Sequence, residues 1–68
     1  MELTQDEKSM IDNAKHDTGL DDLEAIKARI DGCEWCLEQE DCTEQIAQIY
    51  RKQITEYRTI LTKLNDTH

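Results

Sequence analysis

Apolar residues recur at helical spacing over two long stretches of the chain. The first stretch, residues 19–39, is predicted as a helix because its apolar residues alternate three and four positions apart, in the a/d pattern of a heptad. Gly32 lies inside this stretch, and we expect the helix to continue through it because the heptad phase is the same on both sides. The stripe consists of Leu23, Ile26, Ile30, Cys33 and Leu37.

The second stretch, residues 42–65, has the same spacing and predicts a second long helix. Ile46, Ile49 and Ile60 widen its stripe, so this helix can contact more than one neighbouring helix. Its two tyrosines are expected in the core rather than in contact with a partner. The stripe consists of Tyr50, Ile54, Tyr57, Leu61 and Leu64.

Three polar tetrapeptides indicate where helices begin. Residues 4–7 have the capping-box pattern, in which a hydroxyl is followed three positions later by a carboxylate. Residues 18–21 repeat it with Asp as the acid, and residues 41–44 give a third match in which Thr43 is a competing N-cap. The first box would start a short helix over residues 5–16, which we expect to fray or to dock only against a partner. Its apolar residues are Met10, Ile11 and Ala14.

The predicted fold is all-α and forms one domain over residues 1–68. A short connection near residues 40–43 joins the two long helices, so we expect an antiparallel helical hairpin preceded by the short helix. A chain of 68 residues buries only about 60% of its unfolded surface, and one hairpin cannot enclose its own apolar face. We therefore predict a homodimer in which two hairpins form a helical bundle.

Charge is distributed unevenly along the chain. Its 16 acidic and 8 basic residues give a net charge of -8, with -10 over residues 1–44 and +2 over residues 45–68. An acidic chain is a poor candidate for direct nucleic-acid binding, which needs a basic surface. No apolar run reaches the length of a membrane span, and no secretion signal is visible.

Three cysteines offer the only candidate metal or redox chemistry. Cys33 and Cys36 form a C-x-x-C motif and Cys42 lies nearby, but a zinc site within one chain would need His16, His68 or a carboxylate as fourth ligand. Acidic neighbours raise a thiol pKa and oppose a redox role. The odd number of cysteines favours free thiols in the cytoplasm. We predict structural thiols and no cofactor, with a small zinc-binding protein as an alternative.

The sequence contains none of the common catalytic motifs, so we predict a protein that is not an enzyme and has no catalytic residues. Trp35 lies off the a/d stripe, where it either covers an edge of the helix pair or anchors a partner. The acidic residues of the first long helix either form a solvated face or attract a basic partner. The predicted partner-binding residues are Asp21, Asp22, Glu24, Asp31, Glu34, Trp35 and Glu38.

Small size, acidity and the lack of enzyme motifs resemble the accessory and inhibitor proteins that bacteriophages encode, a likeness that assigns no role to any residue. Our functional hypothesis is a cytoplasmic interaction module, an adaptor or inhibitor, that binds a basic protein surface or mimics the charge of a nucleic acid. The alternative from another class is a helical module that serves only its own self-assembly.

Overall fold

Three α-helices make up the computed structural model, which describes residues 2–66. They are α1 (Gln5–Thr18), α2 (Asp22–Leu37) and α3 (Glu44–Asp66), and this part of the chain contains no strand. The all-helical prediction is confirmed at this level. At about 1.5 Å per residue, the 23 residues of α3 span about 34 Å, so this helix sets the longest dimension of the molecule, 37 Å.

The ends of α1 are fixed by local hydrogen bonds. At the start, the Glu7 amide donates to the Thr4 hydroxyl (3.1 Å) and the Thr4 amide donates to the Glu7 carboxylate (2.8 Å), which completes the predicted capping box. At the other end, Gly19 adopts a left-handed conformation (φ 71°) and its amide donates to the Lys15 carbonyl. The helix therefore ends at Thr18 rather than at residue 16.

The predicted start of the second helix at residue 19, capped by Thr18, is wrong. Thr18 belongs to α1, where its hydroxyl donates to the Ala14 carbonyl (2.7 Å). The N-cap of α2 is Asp21, whose carboxylate accepts from the Glu24 amide (3.0 Å). Once Gly19 closes α1 in the left-handed conformation, the next residue able to cap a new helix is Asp21.

The connection between α2 and α3 is longer than predicted. α2 continues through Gly32 without a break and ends at Leu37 rather than at residue 39. α3 begins at Glu44 rather than at residue 42, and the Thr43 hydroxyl accepts from the Ile46 amide (3.3 Å), which makes Thr43 the capping residue. The connection thus runs over residues 38–43.

The contacts between α2 and α3 have an antiparallel register. Cys36 of α2 contacts Tyr50 of α3. One turn earlier in α2, the Cys33 thiol lies 3.6 Å from the side-chain oxygen of Gln53, which is one turn later in α3. The fully buried residues Ile26 and Ile60 continue the same register. Later residues of α3 therefore contact earlier residues of α2, so the two helices run antiparallel and form a hairpin.

The hydrophobic core contains residues of all three helices. Ile11 and Ala14 of α1 are buried in one cluster with the stripes of α2 and α3, so α1 docks within the chain, and the expectation that it would fray or need a partner is wrong. α1 packs against α2, and the partly buried Leu3 and Met10 add to the contacts of its two buried residues. Buried members of the stripes are Ile26, Ile30, Cys33, Ile54, Ile60 and Leu64.

Ion pairs hold α1 against the hairpin. The Lys63 ammonium lies 2.6 Å from the Glu7 carboxylate, and both side chains are only 14% exposed. The hydrogen bond from Lys63 holds the pKa of Glu7 below its ordinary value. Arg29 of α2 pairs with Asp17 of α1. These contacts join α1 to both long helices.

Within residues 2–66, no helix combines the length and the apolar character that crossing a membrane requires.

Candidate partner-binding surface

The predicted partner-binding residues fall into two groups along α2. Asp21, Asp22 and Glu24 lie at its start and are engaged within the chain. Asp21 caps the helix, the Asp22 carboxylate lies 2.8 Å from the Lys15 ammonium, and Glu24 lies 3.7 Å from Lys27. Their charges contribute to contacts within α1 and α2, and their role in partner binding stays a prediction.

The second group forms one exposed surface on the side of α2 that faces away from the core. Residues three and four positions apart are neighbours on a helix, so these side chains adjoin one another. Trp35 is 63% exposed. We call this surface the outer face of α2, and it consists of Asp31, Glu34, Trp35 and Glu38.

The acidic character of the outer face extends around the end of the hairpin. Residues 30–50 contain six acidic residues and no Lys or Arg. In the described part of the chain, two of the six have an ion-pair partner: Glu34 with Arg58 (3.6 Å) and Glu44 with Arg51 (3.2 Å). The unpaired carboxylates are Asp31, Glu38, Glu40 and Asp41.

A pocket of about 310 Å³ opens beside the outer face, at the end of the hairpin. Its lining residues come from the last turn of α2, the 38–43 connection and the first turns of α3. Trp35 belongs to both the pocket and the outer face. We call it the hairpin-end pocket, and it is lined by Trp35, Cys36, Gln39, Asp41, Cys42, Ile46 and Tyr50.

Hydrogen bonds define the chemistry of the pocket wall. The Gln39 side-chain nitrogen donates to the Trp35 carbonyl (3.1 Å), which leaves the Gln39 side-chain oxygen as an acceptor. The hydrogen bond with Cys36 raises the pKa of Tyr50 above its ordinary value. The wall thus combines apolar surface with hydrogen-bond acceptors.

A second groove of about 420 Å³ continues from the hairpin-end pocket along the seam between α2 and α3. The two share Cys36 and Tyr50. Arg29 and Tyr57 lie in the second groove, where burial raises the pKa of Tyr57. Ala28 and Gly32 of α2 also line it, so small side chains keep it open.

The remaining stripe residues are half-buried or exposed. Leu23, Leu37 and Leu61 pack against the core, together with both tyrosines. Ile46 and Ile49 are 41% and 57% exposed, because they lie in the first turns of α3 near the end of α2. At the start of α3, these two residues of the predicted apolar face are therefore exposed and do not belong to the core.

The three cysteines are free thiols in different surroundings. Cys33 is buried, and burial raises its pKa, which disfavours the reactive thiolate. Cys36 and Cys42 are half-buried beside the hairpin-end pocket. Among residues 2–66, no group of three or more His, Cys, Asp or Glu side chains could hold a metal ion. His68, considered above as a zinc ligand, lies outside the described residues.

Sequence reasoning missed Gln39 and the pocket itself. The absence of Lys and Arg from residues 30–50 is the signal that could have located the acidic end of the hairpin. Comparisons of the chain with protein-family models, curated proteins and solved structures gave no match.

Proposed function

We propose that this chain is a protein–protein interaction module that works in the reducing cytoplasm as an adaptor or an inhibitor. It binds a positively charged protein through the outer face of α2. The observation that carries the proposal is Trp35, which is 63% exposed between carboxylates on a helix whose opposite side is in the core. Direct catalysis has no place in this proposal.

The exposed area of Trp35 is large enough to anchor a complex. A Trp side chain buries up to about 250 Å² when fully covered, so 63% exposure leaves about 150 Å² open to solvent. At ~25 cal/mol per Å², covering it yields at most ~4 kcal/mol. This upper bound lies in the range of an interface hot spot, where Trp is enriched.

The unpaired carboxylates determine which partner this anchor selects. Asp31 and Glu38 flank Trp35 and have no ion-pair partner in the described part of the chain. An exposed ion pair contributes only about 0.2–1 kcal/mol to binding. The carboxylates nevertheless accelerate association with a positively charged partner, and they repel acidic proteins. Trp35 would supply affinity, and the carboxylates would supply rate and selectivity.

Self-assembly is the second candidate, favoured by the exposure of Ile46 and Ile49 on α3. The argument that one hairpin cannot enclose its own apolar face is weakened, because a single chain buries Ile26, Ile54 and Ile60. Ile49→Asp is the informative variant, since a charge at an exposed position disrupts a dimer and leaves the monomer folded. Sedimentation of a dimer that Ile49→Asp converts to a folded monomer would support self-assembly.

The partner can be identified by placing the photo-crosslinker p-benzoylphenylalanine in cells at Lys27, an exposed position one helical turn before Asp31, so that Trp35 and the carboxylates of the outer face stay in place. A control chain carries it at Asn13, an exposed position of α1. A protein crosslinked from position 27 and not from position 13 is then purified. Its rate of association with the unmodified chain is measured from low to high salt.

Charge neutralisation then tests the proposal. Asp31→Asn, Glu34→Gln and Glu38→Gln together should slow association and flatten its dependence on salt. A control triple, Glu2→Gln, Asp12→Asn and Asp66→Asn, removes three negative charges elsewhere on the surface and should have little effect. Equal association rates and salt slopes for both triples would contradict the proposal, since the outer face would then act only as a solvated surface.

A further inference from the structure

The hairpin-end pocket has a mixed wall that suits one kind of side chain. Trp35 and Ile46 supply apolar surface, while Asp41 and the free oxygen of Gln39 supply acceptors. At about 310 Å³, the pocket lies at the lower limit for small-molecule sites. A single partner side chain with an apolar stem and a cationic head would satisfy both kinds of wall.

We infer that the hairpin-end pocket receives an arginine side chain from a segment of the basic partner. The inference rests on the proposed function and adds to it the residue type that is read. A guanidinium stacks on an indole face and presents several donors in one plane, so it can contact the Trp35 ring while donating to Asp41 and Gln39. An ammonium offers a point charge and no planar surface for stacking.

Charge repulsion disfavours a second copy of this chain as the occupant. The hairpin end carries Glu38, Glu40, Asp41 and Glu44 within seven residues and no basic residue. Two copies that met at this end would place like charges together. On the rest of α3, Lys63 is occupied by Glu7, and Arg51 and Arg58 are paired within the chain. In the described part of α3 this leaves Lys52 as the cation without an ion pair, and one lysine does not balance the four carboxylates of the hairpin end. A cationic segment of another protein is the complementary occupant.

The test uses the full chain and four synthetic peptides that differ at one position. Each peptide has two lysines in fixed flanks and a central Arg, Lys, citrulline or norleucine. Binding is followed by the NMR signals of the Trp35 indole and the Gln39 side-chain amide, and Trp35 gives a single indole signal because it is the only Trp. The arginine and lysine peptides carry the same charge, so their comparison isolates the planar guanidinium from general charge attraction. The citrulline and norleucine peptides each lack one positive charge and measure the contribution of that charge.

We expect the arginine peptide to bind at least three-fold more tightly than both the lysine peptide, which has the same charge, and the citrulline peptide, and to shift both reporter signals. Asp41→Asn should weaken binding of the arginine peptide by about two- to five-fold and that of the citrulline peptide by less, since the citrulline peptide keeps only its flanking charges. The matched control Asp12→Asn makes the same charge change on α1, where it does not line the pocket, and should alter neither.

Several results would overturn the inference. Equal binding of the arginine and lysine peptides, or of the arginine and citrulline peptides, would contradict an arginine-binding pocket. If binding still depended on salt, the proposed function would stand. Tighter binding of norleucine would make the occupant apolar. Binding without shifts at Trp35 and Gln39, or no binding of any peptide at millimolar concentration, would also overturn it, as would a dimer of the free chain that covers the Trp35 indole. The salt dependence of the crosslinked partner tests the proposed function separately.

Discussion

Replacing Ile60 by Ala tests whether one chain encloses its own core. Ile60 is fully buried, and the substitution removes three carbon groups. At ~0.8 kcal/mol for each, the loss is ~2.4 kcal/mol before any cavity is counted, within the usual range of about 2–5 kcal/mol for such changes. A chain of this length has a free energy of unfolding of about 3–10 kcal/mol, so the variant should lose a quarter or more of it.

The matched control is Ile49→Ala, the same substitution in the same helix at a residue that is 57% exposed. Chemical denaturation followed by circular dichroism should show a large loss for Ile60→Ala and a change below about 0.5 kcal/mol for Ile49→Ala. The thermal midpoint of Ile60→Ala should fall by roughly 10–20 °C. Equal losses, with midpoints that rise with protein concentration, would refute the reasoning, because a second chain would then cover α3.

Three further predictions concern single features. Gly32→Ala should raise the free energy of unfolding by about 0.5–1 kcal/mol, because the position is helical and open, whereas Gly19→Ala should lower it by about 1 kcal/mol through strain at its φ of 71°. Chemical denaturation of both variants measures the two changes, and changes of the same sign would contradict the different backbone conformations of the two glycines. Because the folded pKa of Glu7 is lowered, its stabilising contribution is present above its ordinary value of 4.5 and is lost as pH falls through the folded pKa; comparing unfolding from pH 7 to 3 with that of Glu7→Gln should show this loss only in the unmodified chain. Changing Cys36 and Cys42 together to Ser should leave the circular dichroism spectrum unchanged, and bound zinc lost from the variant in elemental analysis would favour a metal site instead.

The features that follow from local sequence could be predicted. The capping box of Thr4 and Glu7 involves residues three positions apart, and both of its hydrogen bonds form as expected. The heptad phase correctly placed Trp35 off the stripe and carried α2 through Gly32. Such patterns depend on helix geometry alone, which is the same in any tertiary context.

The features that depend on how helices meet could not be predicted. Thr18 and Asp21 are both acceptable caps, and only the left-handed Gly19 between them decides for Asp21. The docking of α1 depends on how well Ile11 fits beside α2, which no periodicity encodes. The hairpin-end pocket depends on the path of the 38–43 connection, so Gln39 had no signal of its own.

The central claim is that Trp35 is the anchor by which this chain holds a basic partner. The most direct measurement is the ¹⁹F NMR spectrum of the chain labelled with 5-fluorotryptophan, which contains one resonance because the chain has one Trp. In the free chain the resonance should respond strongly to exchange of H₂O for D₂O, since the side chain is 63% exposed. When the labelled chain is saturated with the partner that crosslinking identified, we expect the resonance to shift and to lose this response to the solvent. A resonance unchanged in position and in solvent response would contradict it.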